Sequence, residues 1–311
     1  MCSMPADRPF VDRPPGDTAA ATWLAARTAA ELGLPPPTLM NLGMNAVFGA
    51  GEVVLRVGRP TADASSAYDL ADALTAAGVR VVRPAAGRIV VVDSDDETGQ
   101  PLVATTWELL RSTGTDADWA AVGHMVRTLH ELAPSAVPSS YPTPSCTTFP
   151  WWQFEQLLGD IEPDVDDPAF RALVDTVDRH RGWVEQSGGP ARWVLCHGDV
   201  HPANVIATAA GPVVIDWDLL ATGPPGWDHA PLLSMIRHWG YPPEFYEHFA
   251  RGYGTDLSAE PVTIALTELR AAAATIMRVI AGRNDPDARL EAERRLRYWR
   301  GDPGAPTWTM S

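Results

Sequence analysis

Residues 194–218 read VLCHGDVHPANVIATAAGPVVIDWD, and they place two histidines, three aspartates and an asparagine between apolar runs. The run RWVLC, which ends at Cys196, predicts a short buried strand that delivers the polar loop HGDVHPAN. The runs NVIA and PVVID predict a hairpin around TAAG, which returns the chain to that loop at DWD. We therefore expect Asp199, Asn204 and Asp216 to converge, although they are spread along the stretch.

These residue types suit phosphoryl transfer. A loop carboxylate such as Asp199 can hold and deprotonate a hydroxyl group. Asn204 and Asp216 offer the hard oxygen ligands that Mg²⁺ prefers. Phosphoryl transfer depends on this division of roles, because positioning and charge neutralisation supply most of its catalysis. Asp218 is either a second metal ligand or a solvent-facing cap.

The composition of the chain narrows the class of protein. Its 311 residues are 45% hydrophobic, which is typical of a globular protein. The net charge of -15 argues against a nucleic-acid partner, and no apolar run approaches the ~18 residues of a membrane span. The chain start does not resemble a secretory signal, and the three scattered cysteines suit a reducing compartment, so we expect a cytoplasmic protein. All 24 basic residues are arginines, so arginine must do any work that lysine usually does.

The predicted secondary structure changes near Trp107, from β-rich before it to mainly helical after it. Residues 1–17 predict a flexible leader, and residues 18–107 predict a helix followed by short β runs and a second helix that stops at Gly78. Residues 108–311 predict a mainly helical part with one β interruption at 193–217, and Asp116 is a candidate N-cap for its first helix. We therefore expect an α+β fold with a small antiparallel β-rich lobe (1–107), a larger helical lobe (108–311) and a cleft for ligands.

Two motifs carry a family resemblance. HGDVHPAN keeps the spacing of the protein-kinase catalytic loop, with Gly198 in place of arginine, and IDWD stands where kinases have D-F-G. Together they resemble the aminoglycoside phosphotransferase and choline kinase group of small-molecule kinases. GPPGWDHAPL is similar to a further segment of that group, with His229 in place of leucine. The resemblance implies a bilobal protein kinase-like fold that uses ATP or GTP with Mg²⁺ to phosphorylate a hydroxyl of a small molecule.

The resemblance also implies roles for individual residues. It makes Asp199 the catalytic base and Asn204, Asp216 and Asp218 the metal ligands. LGMNAVF resembles the phosphate loop, VVLRV the strand with a phosphate-binding basic residue, and ATTWELL the hinge that contacts adenine. The resemblance thus implies that Asn45 and Arg56 bind the nucleotide phosphates. It makes Asp69 the helix partner of Arg56, with Asp72 as the runner-up. The backbone of Thr105, Thr106 and Trp107 would contact adenine.

Other roles stay open. His197 is expected to be structural, His201 is either structural or substrate-facing, and Asp228 is either a helix N-cap or a substrate contact. The acidic run GDIEPDVDDPAF is either a solvated loop or part of a negative pocket. The acidic chain favours a cationic acceptor such as an aminoglycoside or an amino sugar.

The sequence also has two alternative interpretations besides that of a kinase. A kinase-like binding protein without activity would explain the absent lysine, the missing glycine-rich signature and an aspartate where the group has glutamate. Its weakness is that the base and both metal ligands are present. A metal hydrolase is disfavoured because the chain contains no H-E-x-x-H or H-x-x-E-H motif.

Overall fold

The computed structural model describes residues 9–10, 15–85, 87–93 and 101–309. The helices of this described part are α1 (Thr18–Glu31), α2 (Ser66–Ala76), α3 (Trp119–Glu131), α4 (Phe154–Ile161), α5 (Asp167–Arg179), α6 (Trp183–Gln186), α7 (Gly226–Trp239), α8 (Glu244–Tyr253), α9 (Pro261–Ala281) and α10 (Pro286–Trp299). Its strands are β1 (Thr38–Leu42), β2 (Ala46–Ala50), β3 (Val53–Gly58), β4 (Val90–Asp93), β5 (Leu102–Glu108), β6 (Val194–Cys196), β7 (Val205–Thr208), β8 (Gly211–Val214) and β9 (Ala221–Gly223).

The residues group by their spatial contacts into two compact units. The first unit comprises Met1–Asp118, Glu131–Pro144 and Pro202–Ala221, and the second comprises Trp119–His130, Ser145–His201 and Thr222–Ser311. Both units are discontinuous along the chain, whereas the predicted lobes are continuous. The predicted boundary between residues 107 and 108 stays a prediction.

The first unit is built on a five-stranded antiparallel sheet in the order β1-β2-β3-β5-β4. The turn between β2 and β3 uses Gly51 at φ +67°, a conformation that glycine adopts without a steric penalty. The register pairs Arg56 of β3 with Val47 on one side and with Thr105 on the other. The sheet and its hairpins confirm the predicted antiparallel β structure, and the register fixes the place of Arg56.

Helix α1 covers one face of this sheet. Asp17 caps the helix by accepting a hydrogen bond of 2.8 Å from the backbone N–H of Ala19. Leu24 of α1 is fully buried against sheet residues such as Phe48 and Leu55. Each such side chain contributes about 1.5–3 kcal/mol of hydrophobic stabilisation. This packing gives the small sheet a core of its own.

The predicted leader is described only at residues 9–10 and 15–17; its other residues lie outside the described part of the chain. Phe10 is buried and its ring stacks on Tyr141 at a centroid distance of 5.1 Å. The carbonyl of Pro9 accepts a hydrogen bond of 2.7 Å from Thr61. These contacts tie the described part of the segment to the first unit, and the flexibility of the leader stays a prediction.

The second unit is mainly helical, with β6 and β9 forming a two-stranded sheet. An aromatic cluster fills part of its core, and its rings belong to Phe149, Trp152, Trp183, Trp193 and Trp227. Helices α3 and α8 approach each other closely, since a Cβ on Gly252 would lie 1.8 Å from the carbonyl oxygen of Ala120. Only glycine fits at that contact. Helix α3 begins at Trp119, so Asp116 is not its N-cap as predicted.

Two arginines, Arg283 just after α9 and Arg300 just after α10, bind aspartates of the acidic run. Arg283 contacts the carboxylates of Asp160 and Asp164 at 3.1 and 2.7 Å, and Arg300 binds Asp166 at 2.5 Å. These three aspartates are paired with arginines but keep 38–48% of their side-chain surface exposed, and a negative pocket formed by the run stays a prediction. No helix in the described part of the chain is long and apolar enough to span a membrane.

Candidate active site

The loop after β6 is held by a buried carboxylate. Asp228 of α7 has no solvent exposure, and its two oxygens accept hydrogen bonds from the backbone N–H groups of His197 (2.8 Å) and Gly198 (2.7 Å). Nε2 of His130 lies 3.1 Å from the same carboxylate. Gly198 adopts φ +90°, which turns the backbone so that both N–H groups meet Asp228. The loop that carries Asp199 is thus fixed from within the second unit.

Asp228 does not have the predicted N-cap role. Helix α7 begins at Gly226 and has no side-chain cap. Although burial alone would raise the pKa of Asp228, the hydrogen bond and charge of His130 and the nearby His197 lower it below its usual value. Asp228 therefore stays ionised and binds the loop as an anion. The expected structural role of His197 is confirmed, because its Nδ1 lies 3.2 Å from the backbone N–H of Asp199.

Asp199 projects from this loop between two basic side chains. Its Oδ1 forms an ion pair with Arg270 of α9, and its Oδ2 lies 3.2 Å from Nε2 of His201. The Asp199 side chain keeps 24% of its surface exposed, so a ligand can still reach it. Burial alone would raise the pKa of Asp199, but His201 and Arg270 together lower it well below its usual range. Asp199 is therefore an ionised hydrogen-bond acceptor at neutral pH.

Asp199 opens into a cavity of about 490 Å³ within the second unit. Its lining comes from the loop after β6, from α7, α9 and α10, and from the segment after α10. The lining residues are Asp199, His201, Pro231, Ser234, Met235, Trp239, Arg270, Ala274, Met277, Arg278, Ala281, Arg295 and Thr309. His201 lies both in this lining and beside Asp199, which places it on the ligand side of the loop. A cavity of this size suits a small molecule.

The lining contributed by α9 was missed from the sequence. Arg270, Ala274, Met277, Arg278 and Ala281 follow the spacing of one helical face. This stripe is the pattern that could have located the cavity wall. Because small and apolar residues dominate the stripe, the pattern alone does not distinguish a cavity wall from a face packed in the core.

The hairpin of β7 and β8 positions two predicted metal ligands. The strands pair in register from Val205 and Val214 to the turn, and the N–H of Ile215 donates to the carbonyl of Asn204 at 2.9 Å. Asn204 and Asp216 therefore lie at the same end of the hairpin. Their amide and carboxylate oxygens form a donor set that fits a hard divalent cation. The convergence of Asp199 with this pair stays a prediction.

Asp216 has an unusual backbone. Its φ of 63° lies in the left-handed region, which costs a non-glycine residue free energy and is concentrated at functional sites. Its side chain keeps 48% of its surface exposed. The strained turn thus presents the Asp216 carboxylate to solvent at the end of β8.

Asp218 serves as an ion-pair partner. It is buried and forms an ion pair with Arg56 of β3, whose guanidinium also lies 3.8 Å from Asp216. The structure thus brings Arg56 and both aspartates of the DWD segment together within the first unit. Asp218 is not the solvent-facing cap that one interpretation of the sequence required.

The residues proposed to support Arg56 have other partners. Asp72 forms an ion pair with Arg88, and Asp69 accepts a hydrogen bond of 3.1 Å from Ser140. The pairing of Arg56 with either aspartate stays a prediction. In the turn between β1 and β2, the side-chain oxygen of Asn45 is buried and has no hydrogen-bond partner among the described residues. This oxygen can only accept a hydrogen bond, so it does not by itself bind phosphate, and the nucleotide contact of Asn45 stays a prediction.

The predicted hinge lies inside the sheet. Thr106 donates its N–H to the hydroxyl of Tyr68 at 2.7 Å, and its carbonyl accepts from the N–H of Ala85. Its N–H is therefore not available to adenine in this structure. Trp107 donates its ring N–H to the hydroxyl of Thr105 at 2.9 Å. Adenine contacts through the backbone of Thr105 and Trp107 stay predictions.

Comparison with known proteins identifies relatives of this site and fold. Residues 46–264, more than half of the chain, match the model of a phosphotransferase enzyme family. No curated protein matches the sequence significantly.

Solved structures resemble the chain over most of its length. A choline/ethanolamine kinase family protein from Mesorhizobium loti is 19% identical, with a TM-score of 0.63 over 91% of this chain and 94% of its own. An amicoumacin kinase in complex with AMP-PNP, Ca²⁺ and Ami is 17% identical, with a TM-score of 0.68 over 93% and 97%. A GDP complex of wild-type aminoglycoside 2'-phosphotransferase-IIIa is 15% identical, with a TM-score of 0.59 over 92% and 99%. These similarities confirm the predicted α+β, kinase-like fold.

Proposed function

The chain belongs to the phosphotransferase enzyme family, and from this membership we propose that it transfers the γ-phosphoryl group of ATP, or of GTP, to a hydroxyl of a small molecule. The observation that carries the proposal is Asp199, an ionised carboxylate on a fixed loop that opens into a cavity of about 490 Å³. A base at the wall of an accessible, molecule-sized cavity is what transfer to a small acceptor requires.

Asp199 is the proposed catalytic residue. It accepts a hydrogen bond from the acceptor hydroxyl and aims the hydroxyl oxygen at the γ-phosphorus. As the new P–O bond forms, the bond from phosphorus to the leaving nucleotide oxygen breaks, and the hydroxyl proton passes to Asp199. Its low pKa is compatible with this role, because the proton moves late in a transition state with little bonding to the attacking oxygen.

The first unit supplies the proposed nucleotide contacts. Asn204 and Asp216 would hold Mg²⁺, which neutralises charge on the transferring phosphates when bound. Arg56 braces the phosphates, because a guanidinium binds phosphate oxygens in a bidentate manner. Two of the similar structures were solved with nucleotides that differ in their base, AMP-PNP and GDP, so both ATP and GTP belong in the test.

The deciding experiment measures nucleotide consumption with Mg²⁺ and a panel of hydroxyl compounds that differ in charge. We expect turnover with at least one class of acceptor, and a loss of about 10²–10⁴-fold in Asp199→Asn with nucleotide binding retained. The variant Asp178→Asn, altered at an exposed aspartate of α5 outside the cavity, is the matched control. If neither turnover nor Mg·nucleotide binding were detected, the proposal of a kinase would be wrong and the inactive binding protein would be the better interpretation.

A further inference from the structure

The cavity beside Asp199 carries a charge opposite to that of the whole chain. Three arginines line it, Arg270, Arg278 and Arg295, whereas Asp199 is the one acidic side chain in the described lining. The chain as a whole has a net charge of -15. Since binding depends on the local field of the cavity and not on the net charge, the expectation of a cationic acceptor needs to be re-examined.

Two of the three arginines are already compensated. Arg270 forms its ion pair with Asp199 and donates to the carbonyl of Gly198 at 3.0 Å. Arg295 is buried and bonds the buried carboxylate of Glu291 at 2.9 Å, with further hydrogen bonds to the carbonyls of Ala274 and Thr309. The charges of Arg270 and Arg295 are therefore already balanced by carboxylates of the protein.

Arg278 differs from both. Within the part of the chain that the structure describes, its guanidinium makes no hydrogen bond and no ion pair, and its side chain is only partly exposed. The charge of Arg278 acts on Arg295, whose pKa is lowered first by burial and also by this like charge. Bringing an anion to Arg278 would relieve the repulsion between the two guanidinium groups.

We propose that the acceptor is a hydroxyl compound that carries an oxyanion, a carboxylate or a phosphate, and that Arg278 binds this group. This inference rests on the proposed function and names its substrate class. The oxyanion would pair with Arg278 while Arg270 stays on Asp199. Arginine suits this role because its planar donors match a carboxylate or phosphate.

The spacing of residues on α9 gives an approximate distance between the two ends of the acceptor. Arg270 and Arg278 lie eight residues apart on α9, which corresponds to about 12 Å along the helix axis. Ala274 and Met277, which lie between the two arginines on this face of α9, are apolar, and Met235 of α7 adds a further apolar side chain to the lining. The acceptor therefore has its hydroxyl at the Asp199 end, an apolar body of about this length, and its oxyanion at the Arg278 end.

The test uses one carbon skeleton with different end groups. The probes are ω-hydroxydecanoate, an ω-hydroxydecyl phosphonate, methyl ω-hydroxydecanoate and ω-aminodecanol, and their binding to the full chain is measured by calorimetry up to about 10 mM. We expect the carboxylate, the phosphonate or both to bind more tightly than the ester, and the amine to bind least. A difference between the two oxyanions identifies the acceptor group.

Arg278→Gln should weaken binding of the oxyanion probes about 10- to 100-fold and leave binding of the ester unchanged. Arg251→Gln, at an exposed arginine of α8 outside the cavity, should change neither. Preference for the amine, equal binding of all four probes, or no binding of either oxyanion would overturn the proposal. So would a loss of Mg·nucleotide affinity in Arg278→Gln with oxyanion binding intact, since Arg278 would then serve the nucleotide.

Phosphoryl transfer to the same probes separates this inference from the proposed function. Arg278-dependent binding together with transfer that Asp199→Asn abolishes supports both. Arg278-dependent binding without any transfer supports oxyanion recognition by the cavity and counts against the kinase. Transfer to the ester or the amine in preference to the oxyanions supports the kinase and overturns this inference.

Discussion

Arg270 of α9 forms an ion pair with Asp199, so the proposed catalytic base is held from a helix 71 residues further along the chain. The other oxygen of the carboxylate lies beside His201. Both oxygens are thus oriented before any ligand arrives. Such orientation lowers the reorganisation needed during the reaction.

Loss of Arg270 should shift the pH dependence of turnover. Arg270 and His201 hold the pKa of Asp199 below its usual value against the effect of burial. In Arg270→Met the pKa of Asp199 rises, and since only the ionised carboxylate is active, the acidic limb of the pH–rate profile moves to higher pH. Arg270→Lys should restore part of the shift. An unchanged acidic limb in Arg270→Met would mean that Arg270 does not act through Asp199.

Replacement of Asp216 should weaken metal-dependent nucleotide binding. Asp216→Ala removes a carboxylate oxygen from the hairpin end that also holds Asn204, so we expect at least a 10-fold higher Mg²⁺ requirement, measured by nucleotide titration at several Mg²⁺ concentrations. Asp216→Asn keeps an oxygen and tolerates the left-handed backbone better, so its defect should be smaller. A chelator should abolish nucleotide binding in the wild type. Equal Mg²⁺ dependence in all three proteins would exclude Asp216 as a ligand.

Replacement of Asp228 should destabilise the second unit. Asp228→Ala leaves the N–H groups of His197 and Gly198 buried without their acceptor, and a cost of about 2–5 kcal/mol in the free energy of unfolding follows. Asp228→Asn keeps one acceptor oxygen and should cost less. Denaturant unfolding measures both. A change below about 0.5 kcal/mol for Asp228→Ala would show that the loop holds its shape without this carboxylate.

The contact between α3 and α8 should reject any side chain at Gly252. A Cβ at Gly252 would lie 1.8 Å from a backbone oxygen, so Gly252→Ala must push the helices apart, at a cost of about 3 kcal/mol or more. Gly159→Ala in α4 is the control, because no atom lies within 4 Å of the new Cβ. That variant should gain about 0.5–1 kcal/mol from helix propensity. Thermal unfolding of the two variants should therefore move in opposite directions.

Two buried histidines should make the fold sensitive to mild acid. Burial lowers the pKa of His229 to about 3, and burial with the charges of Arg237 and Arg295 lowers that of His238 to about 4. The unfolded chain binds these protons near pH 6.5 and the folded chain does not, so stability falls as pH falls below about 6.5. Each histidine should cost about 2 kcal/mol between pH 7 and pH 5.

A substitution can assign this acid sensitivity to one of the histidines. His238 stacks on Trp308 at 4.3 Å, so His238→Phe keeps the ring contact and should remove about half of the loss. His248→Gln, at an exposed histidine of α8, should leave the loss unchanged. Denaturant unfolding of the three proteins at the two pH values is the measurement.

Local patterns were enough to predict the antiparallel sheet and the polar loop that follows β6. The β runs around Gly51 and the β7–β8 hairpin follow from alternating or continuous apolar residues bounded by turn residues, which act over a few positions. The roles of Arg270 and Asp228 depend on partners that only the tertiary fold brings together. The same holds for Thr106, whose N–H is taken by Tyr68. Net charge averages over the whole surface and does not report the local charge of the cavity, so the charge of the acceptor stays a proposal.

The described walls of the acceptor cavity come entirely from the second unit. Arg56, Asn204 and Asp216, the proposed phosphate and metal contacts, belong to the first. Mutations in α7, α9 or α10 can therefore change which acceptor is recognised without altering a proposed nucleotide contact. If the proposed function holds, this separation makes the specificity of the protein modular, because the accepted alcohol can change while the phosphate-donor site stays intact.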